Sequence, residues 1–480
     1  VERVHLHEQV GTAHEELYAA HTESVTAAEI TAVAPQLARH FQEAQNVEKA
    51  IHYLHLAGDR AVQLSAFREA RTHLATALGL LLTLPDSPER AQKELALQLS
   101  LGMAWMGTDP REVEKAYNRA RELCLQTGLT SDLYRILGQL STMHYVGAKH
   151  HSARDLVKET IELAEQAGDP LLEALGHWRL GFILFALGDF AASRAHLEQM
   201  IAFYEPQHHR SLVLLSAADG GLSAMAYHAS CLWALGYPEQ ASKRSEDALA
   251  LAVECDHPFT LADVLTYGGC LFQAMLRNAS VLLVHAEALV QLATERGFVN
   301  WLGHGVLYRG QALTMLGEVE EGIAQLREGV ALLRQGIAAH EAYGAILNLP
   351  SGLYALAEAQ ALSGQPEEGL ATLHQALAIV DETDERHWEA ELYRAQAELL
   401  LKQGRDSEAE ASLHRAVEVA RRQRAKSWDL RATTSLARLW NAQGKRQQAR
   451  EALAEVYGWF TEGFDTPDLV EARALLDELS

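Results

Sequence analysis

The chain has 480 residues, 48% of them apolar, and a formal net charge of −23 at pH 7. That acidity argues against duplex nucleic acid as a general partner, because phosphate binding depends on Lys and Arg releasing counterions. Cys124, Cys231, Cys255 and Cys270 lie far apart with no C-x-x-C pair, and no window approaches eighteen uninterrupted apolar residues, so reduced thiols in a cytoplasmic protein without a membrane partner are expected.

The N-terminal run VERVHLHEQVGTAHEEL is amphipathic and has no signal-peptide core. It opens on Val1 rather than methionine, so the chain is expected to be a piece of something longer, with residues 1–45 a helical linker or capping region. Residues 44–78 then predict helices joined at Asn46 and Ser65. Seven prolines, Pro88, Pro110, Pro170, Pro238, Pro258, Pro366 and Pro467, stand where an apolar periodic run begins; in a first helical turn the missing N–H costs nothing. Ser87, Asp109, Asp169 and Thr466 precede four of them as N-caps.

A regular grammar follows. Turns are predicted at Gly147, Gly188, Gly236, Gly317, Gly364, Gly404 and Gly444, with Leu276 in the equivalent place between Gly236 and Gly317. A second break is predicted about twenty residues after each turn, at 167–170, 255–258, 295–298, 334–337, 381–384 and 423–426, leaving two helices of about seventeen residues per unit. A period near forty predicts a solenoid spanning 46–462, closed by a capping helix at 463–480. Two longer steps place insertions at 204–221 and 336–350.

Small residues recur where helices of a hairpin must approach: Gly181, Ala229, Gly269, Gly310, Ala357, Ala397 and Ala437 before the turns, and Ser193, Ala241, Gly322, Gly369, Ala409 and Ala449 after them. With LGFILFALGDF, in which Leu180-Gly181 precede the turn and Phe190 follows it, the pattern resembles the tetratricopeptide repeat, W-x2-L-G-x2-Y…A-x3-F, lengthened from 34 to about 40 residues. The C-terminal stretch ARRQRAKSWDLRATTSLARLWNAQGKRQQAREALAEVYGWFTEGFDTPDLVEARALLDEL, residues 420–479, is similar to the tail of bacterial signal-transduction ATPases of the STAND/AAA type, of the kind fused to class III nucleotide cyclases or kinases. The resemblance implies an all-α fold, a right-handed α-solenoid of antiparallel helical hairpins.

The residues themselves offer little catalysis. There is no G-x-x-x-x-G-K-[ST], G-x-S-x-G or H-E-x-x-H. Pairs such as His52/His55, His150-His151 and His208-His209 lack the converging ligands a metal needs. No cofactor or metal is therefore expected.

In the family resembled, the first helix of each unit lines a concave groove. Carried over by distance from each turn, the groove residues are Tyr134, His144, Trp178, Phe182, Phe185, Trp233, Gln273, His304, Tyr354, Arg394, Arg431, Arg438 and Asn441, with His208, His209 and Arg210 added by the first insertion. Between Arg386 and Arg450 stand 14 Lys and Arg against 8 Asp and Glu. Aromatics grading into arginines suit an acidic or amphipathic segment of a partner, from another protein or from upstream in the same chain, or a small-molecule effector. The expectation is a non-catalytic sensing and interaction module that regulates an attached ATPase or cyclase. A free-standing adaptor is the alternative, and an enzyme built as a ring of helical hairpins is a third reading.

Overall fold

The computed structural model describes residues 2–19, 27–106, 108–127, 133–338 and 347–480. Among these residues the regular structure is helical throughout, with no strand. The fold is an α-solenoid of antiparallel hairpins, in which most helices pack on the next in sequence.

All seven prolines open helices, from Pro88–Trp105 to Pro467–Glu478. Ser87, Asp109 and Asp169 cap the following backbone N–H groups with their side-chain oxygens. Thr466 does not; its hydroxyl donates instead to the Gly463 carbonyl, 2.7 Å away.

The turns carry left-handed backbone at Gly188, Gly236, Gly317, Gly364, Gly404 and Gly444, where a residue without Cβ is the unstrained choice. Two turns fall one residue later than predicted. Ala148 rather than Gly147, and Arg277 rather than Leu276, take the left-handed position. Gln45 and Ser65 do the same in the early repeats. The break expected at 334–337 is absent: helix Val319–Ala338 runs through it, since neither proline nor a capping Asp or Asn interrupts the run there. The core of the second insertion, 339–346, lies outside the described residues.

Small residues set the hairpin spacing. A Cβ on Gly310 would stand 2.7 Å from the Leu326 nitrogen, and one on Gly329 would stand 2.6 Å from the Leu307 nitrogen. Helices Val299–Met315 and Val319–Ala338 therefore pack backbone to backbone.

The chain divides into two compact units. The first comprises Val1–Leu140, Gln207–Ala218 and His257–Phe259. Here the first insertion is built structure: helix His209–Ser216 packs on Val47–Gln63, burying Leu212 and Val213, and Gln139 donates to the Leu215 carbonyl at 2.7 Å. Helices Glu2–Ala19 and Ala27–Glu43 continue the same stacking.

The second unit comprises Ser141–Pro206, Asp219–Asp256 and Thr260–Ser480. Its first helices face inward; every residue of Gly220–Ala234 is buried. Its second helices, such as Asp406–Arg422, bury one stripe and expose the rest. This unit folds back on itself. Near the ends of their helices, the carbonyls of Ala186, Trp233 and Met275 accept from the Arg386 backbone N–H, the Ser427 hydroxyl and the Arg431 guanidinium. The open groove expected from sequence is thereby replaced by a filled inner face.

Helix Pro258–Leu276 is long and apolar enough to cross a membrane, yet 83% of it is buried within the fold. Its middle, Leu265–Leu271, is a π turn. Arg277 lies 41 residues after Gly236, whereas Gly404 and Gly444 lie 40 apart. The extra residue matches the wider turn, which closes at i→i+5.

Candidate functional site

The aromatic residues assigned to the groove are core. Trp178, Phe182, Phe185, Trp233 and Tyr354 are all buried. Phe182 packs on Tyr145, Phe185 on His387, and Trp233 meets Trp428 edge to face at 4.7 Å. Close-packed rings of this size fill the space that the folded-back hairpins enclose. His304 is buried too; its Nδ1 lies 3.0 Å from the Asn300 carbonyl and its Nε2 3.2 Å from Asn348 Nδ2, and burial lowers it to about 4. Tyr134 and His144 are half-buried, the latter bonded to Ser152. Gln273 sits on the inner helix, half-buried. His208 and His209 are half-buried and Arg210 is exposed, in the first unit, where the His209 ring stands against His257.

The arginines do converge. Arg394 and Arg431 are buried, Arg438 is half-exposed, and all three share a cavity of about 390 Å³ with Tyr354 and with Arg277 from a turn far earlier in the chain. Arg394 grips Glu391 with two bonds of 2.8 Å and also reaches Glu398. Arg431 donates to Asp468 at 2.8 Å while its guanidinium lies 5.0 Å from both the Trp233 and Trp428 rings. Tyr354 donates to Glu391 at 3.1 Å. Burial alone would raise Glu391, but Arg394 and Arg431 pull it down to about 2. Opposite charges at this range outweigh desolvation.

The rim is looser. Arg277 pairs with Glu471 at 2.9 Å and Asp468 at 3.3 Å, and Arg438 pairs with Glu471 at 3.3 Å. Both carboxylates come from the last helix, Pro467–Glu478, so this helix closes the cavity with acidic side chains. Asn441, further along the same face, donates to Glu478. Chemically, the arrangement is an arginine cluster whose outer members, Arg277 and Arg438, share the solvent-accessible carboxylate of Glu471, while Asp468 is buried.

Sequence reasoning missed Arg277, Glu391, Asp468 and Glu471. One signal was available: the series of turn glycines has a gap, and the residue that takes the left-handed conformation there is Arg277 (φ 61°), a strained choice for a long side chain. A second cavity, of about 750 Å³, lies in the first unit, where the Arg71 guanidinium sits 4.5 Å from the Trp105 ring; no sequence signal pointed to it.

The tetratricopeptide repeat family matches residues 348–422, a stretch that supplies Tyr354, Glu391 and Arg394. No curated protein matches the chain. Among solved structures, a Rap protein complexed with competence and sporulation factor is similar at a TM-score of 0.57 and 12% identity, over 78% of this chain and 98% of that one. A signal-transduction ATPase with numerous domains carrying a tetratricopeptide-repeat sensor, from Pyrococcus horikoshii, is similar at 0.42 and 11% identity over 82% of this chain and 55% of that one. Yeast Tom70 is similar at 0.38 and 13% identity over 90% and 96%. The first of these likenesses bears on the fold.

Proposed function

We propose that this chain is a recognition module that takes an acidic segment of a protein partner into the arginine cavity. The observation that carries the reading is the convergence of Arg277, Arg394, Arg431 and Arg438 on one cavity whose outer carboxylates, Glu471 above all, are partly solvent-exposed. An incoming carboxylate replaces Glu471 on Arg277 and Arg438, while the inner pair stays fixed by Glu391 and Asp468. The planar guanidinium fork suits that exchange, because it accepts one carboxylate as readily as another. The Rap protein of like fold, solved in complex with competence and sporulation factor, supports a recognition role over a catalytic one.

The finer reading is regulatory. Occupancy of the cavity moves the last helix, and in a longer protein that displacement is transmitted to an attached ATPase or cyclase, as the resemblance of residues 420–479 implies. A solenoid held by neighbour interfaces suits such transmission, since a ligand touching several repeats biases their stacking.

Titration calorimetry with a glutamate-rich decapeptide tests the site. Binding that weakens at least about tenfold in Arg277→Ala/Arg438→Ala supports it, a loss of about 1.4 kcal/mol or more. Equal affinity of the double variant and the parent chain overturns it. The sequence of the encoding gene decides whether an ATPase or cyclase is attached.

A further inference from the structure

Glu391 shows how this chain treats a buried carboxylate: it surrounds it with arginines. Two other buried carboxyls in the second unit are treated differently. Asp263 and Glu385 each carry an oxygen sealed from solvent and without a hydrogen-bond partner, and among the described residues neither is ion-paired to Arg or Lys. Glu385 Oε1 accepts from the Asn348 backbone N–H at 2.8 Å, and His387 Nδ1 stands 3.7 Å away on a ring whose nitrogens are also without partners.

Aromatic rings stand near both acids. Tyr267 follows Asp263 by four residues, about one turn of helix, the Phe185 ring lies 5.1 Å from His387, and both carboxyls act electrostatically on Tyr145 and Tyr267. Tyr267 stacks on Tyr227 at 4.3 Å, and the Tyr145 and Tyr227 hydroxyls are 3.3 Å apart. Tyr308, which feels Glu385 and Tyr267, has a buried hydroxyl with no partner. Tyr267 itself lies in the π turn, an irregularity that recurs at functional sites.

Buried polar atoms are almost always satisfied, and several unsatisfied ones in one place call for a missing partner. Acceptor oxygens without cations, near electron-rich tyrosine rings, ask for a positive charge. We propose that Asp263, Glu385 and the neighbouring tyrosines form a binding site for a small organic cation bearing an ammonium or guanidinium group. The site is separate from the arginine cavity, which its own acids already neutralise, and it does not depend on that cavity's function.

Burial pushes Glu385 up to about 8 and Asp263 up to about 7, the latter offset in part by the Ser223 hydroxyl. At neutral pH the empty site thus holds at least one acidic proton. A bound cation favours the ionised acids and drives that proton into the solvent.

Calorimetric titration of the full chain at pH 7 with putrescine and with agmatine, each in two buffers of different ionisation enthalpy, tests the proposal. The expected result is saturable binding with proton release, weakened at least about tenfold by Glu385→Gln or Asp263→Asn and unchanged by Arg277→Ala/Arg438→Ala. A blocked Gly-Lys-Gly peptide binding better than putrescine assigns the ammonium to a side chain of a peptide and supports the same site. Absence of binding by all three probes overturns the proposal, as does binding that is indifferent to both carboxyl variants or matched by neutral 1,4-butanediol. Both variants are near-isosteric with the protonated acids, and circular dichroism of each verifies that loss of binding is not loss of fold.

Discussion

Ser427 donates its hydroxyl to the Trp233 carbonyl over 2.5 Å, joining two inner helices 194 residues apart. The Trp428 ring then lies edge to face on Trp233. Contacts of this span hold the second unit closed, and they are separable by mutation. Ser427→Ala removes one of two donors to the Trp233 carbonyl, which keeps the Gly236 N–H at 2.9 Å, and should cost about 1 kcal/mol in urea unfolding. Trp428→Ala empties the junction and should cost about 3–5 kcal/mol.

Glycines at hairpin crossings and glycines at turns should respond differently to alanine. Gly329→Ala drives a methyl group into the Leu307 backbone, which cannot rotate away, and about 1–3 kcal/mol of overpacking is expected. Gly364→Ala meets nothing within 4 Å but must hold φ at +80°, a strain of about 1–2 kcal/mol. Asn at position 364 should recover part of that loss, because it tolerates left-handed backbone. Asn at position 329 should not. Thermal melts of the four variants separate the two causes.

Arg431 and Arg438 line the same cavity and should differ in stability. Removing Arg431 takes the nearest cation from buried Asp468, which among the described residues keeps only Arg277 at 3.3 Å, and one of two arginines from Glu391, which should cost about 3 kcal/mol. Removing Arg438, half-exposed and paired once at 3.3 Å, should cost less than about 1 kcal/mol. Denaturant midpoints at matched ionic strength check the contrast.

The buried carboxyls impose pH dependence of opposite sign. Glu391 is held at about 2, below its ordinary 4.5; its contribution is present above that value and is lost as pH falls towards 2. Glu385 and Asp263 are raised to about 8 and about 7. Their contribution is whole below their ordinary values and drains as pH climbs through the raised ones. Melting temperatures recorded from about pH 5 to about pH 9 should therefore decline on the alkaline side, and Glu385→Gln should flatten that decline by removing the acid that must ionise.

The hairpins were legible in sequence because their signals are local. Proline in a first turn, glycine at a left-handed turn and small residues at crossings each act within a few residues, and they located most helix ends. The misplaced turns at Ala148 and Arg277 show the limit: Gly147 stands beside the first without taking the left-handed conformation and the second has no glycine, so packing settles the turn position. The arginine cavity was half legible. Arg394 lies on one first helix and Arg431 and Arg438 on the next, so carrying the groove over by distance from each turn found them. Arg277 and Glu471 reach the cavity from a distant turn and from the terminal helix, and nothing in local spacing announces such a meeting. The aromatic positions were found by the same periodicity but assigned to an open surface, because a sequence pattern does not reveal how tightly a stack of hairpins winds.

The wide turn at Leu265–Leu271 bears on how such a chain accommodates changes in length. One residue added to an ordinary helix rotates everything beyond it by about 100°, which would swing the following inward face into water. Here the surplus residue is confined to a single loop of backbone, and the next hairpin begins in phase with its neighbours. An insertion of one codon thus leaves the array intact and places Tyr267 on a backbone geometry that, among the described residues, the other repeats do not share.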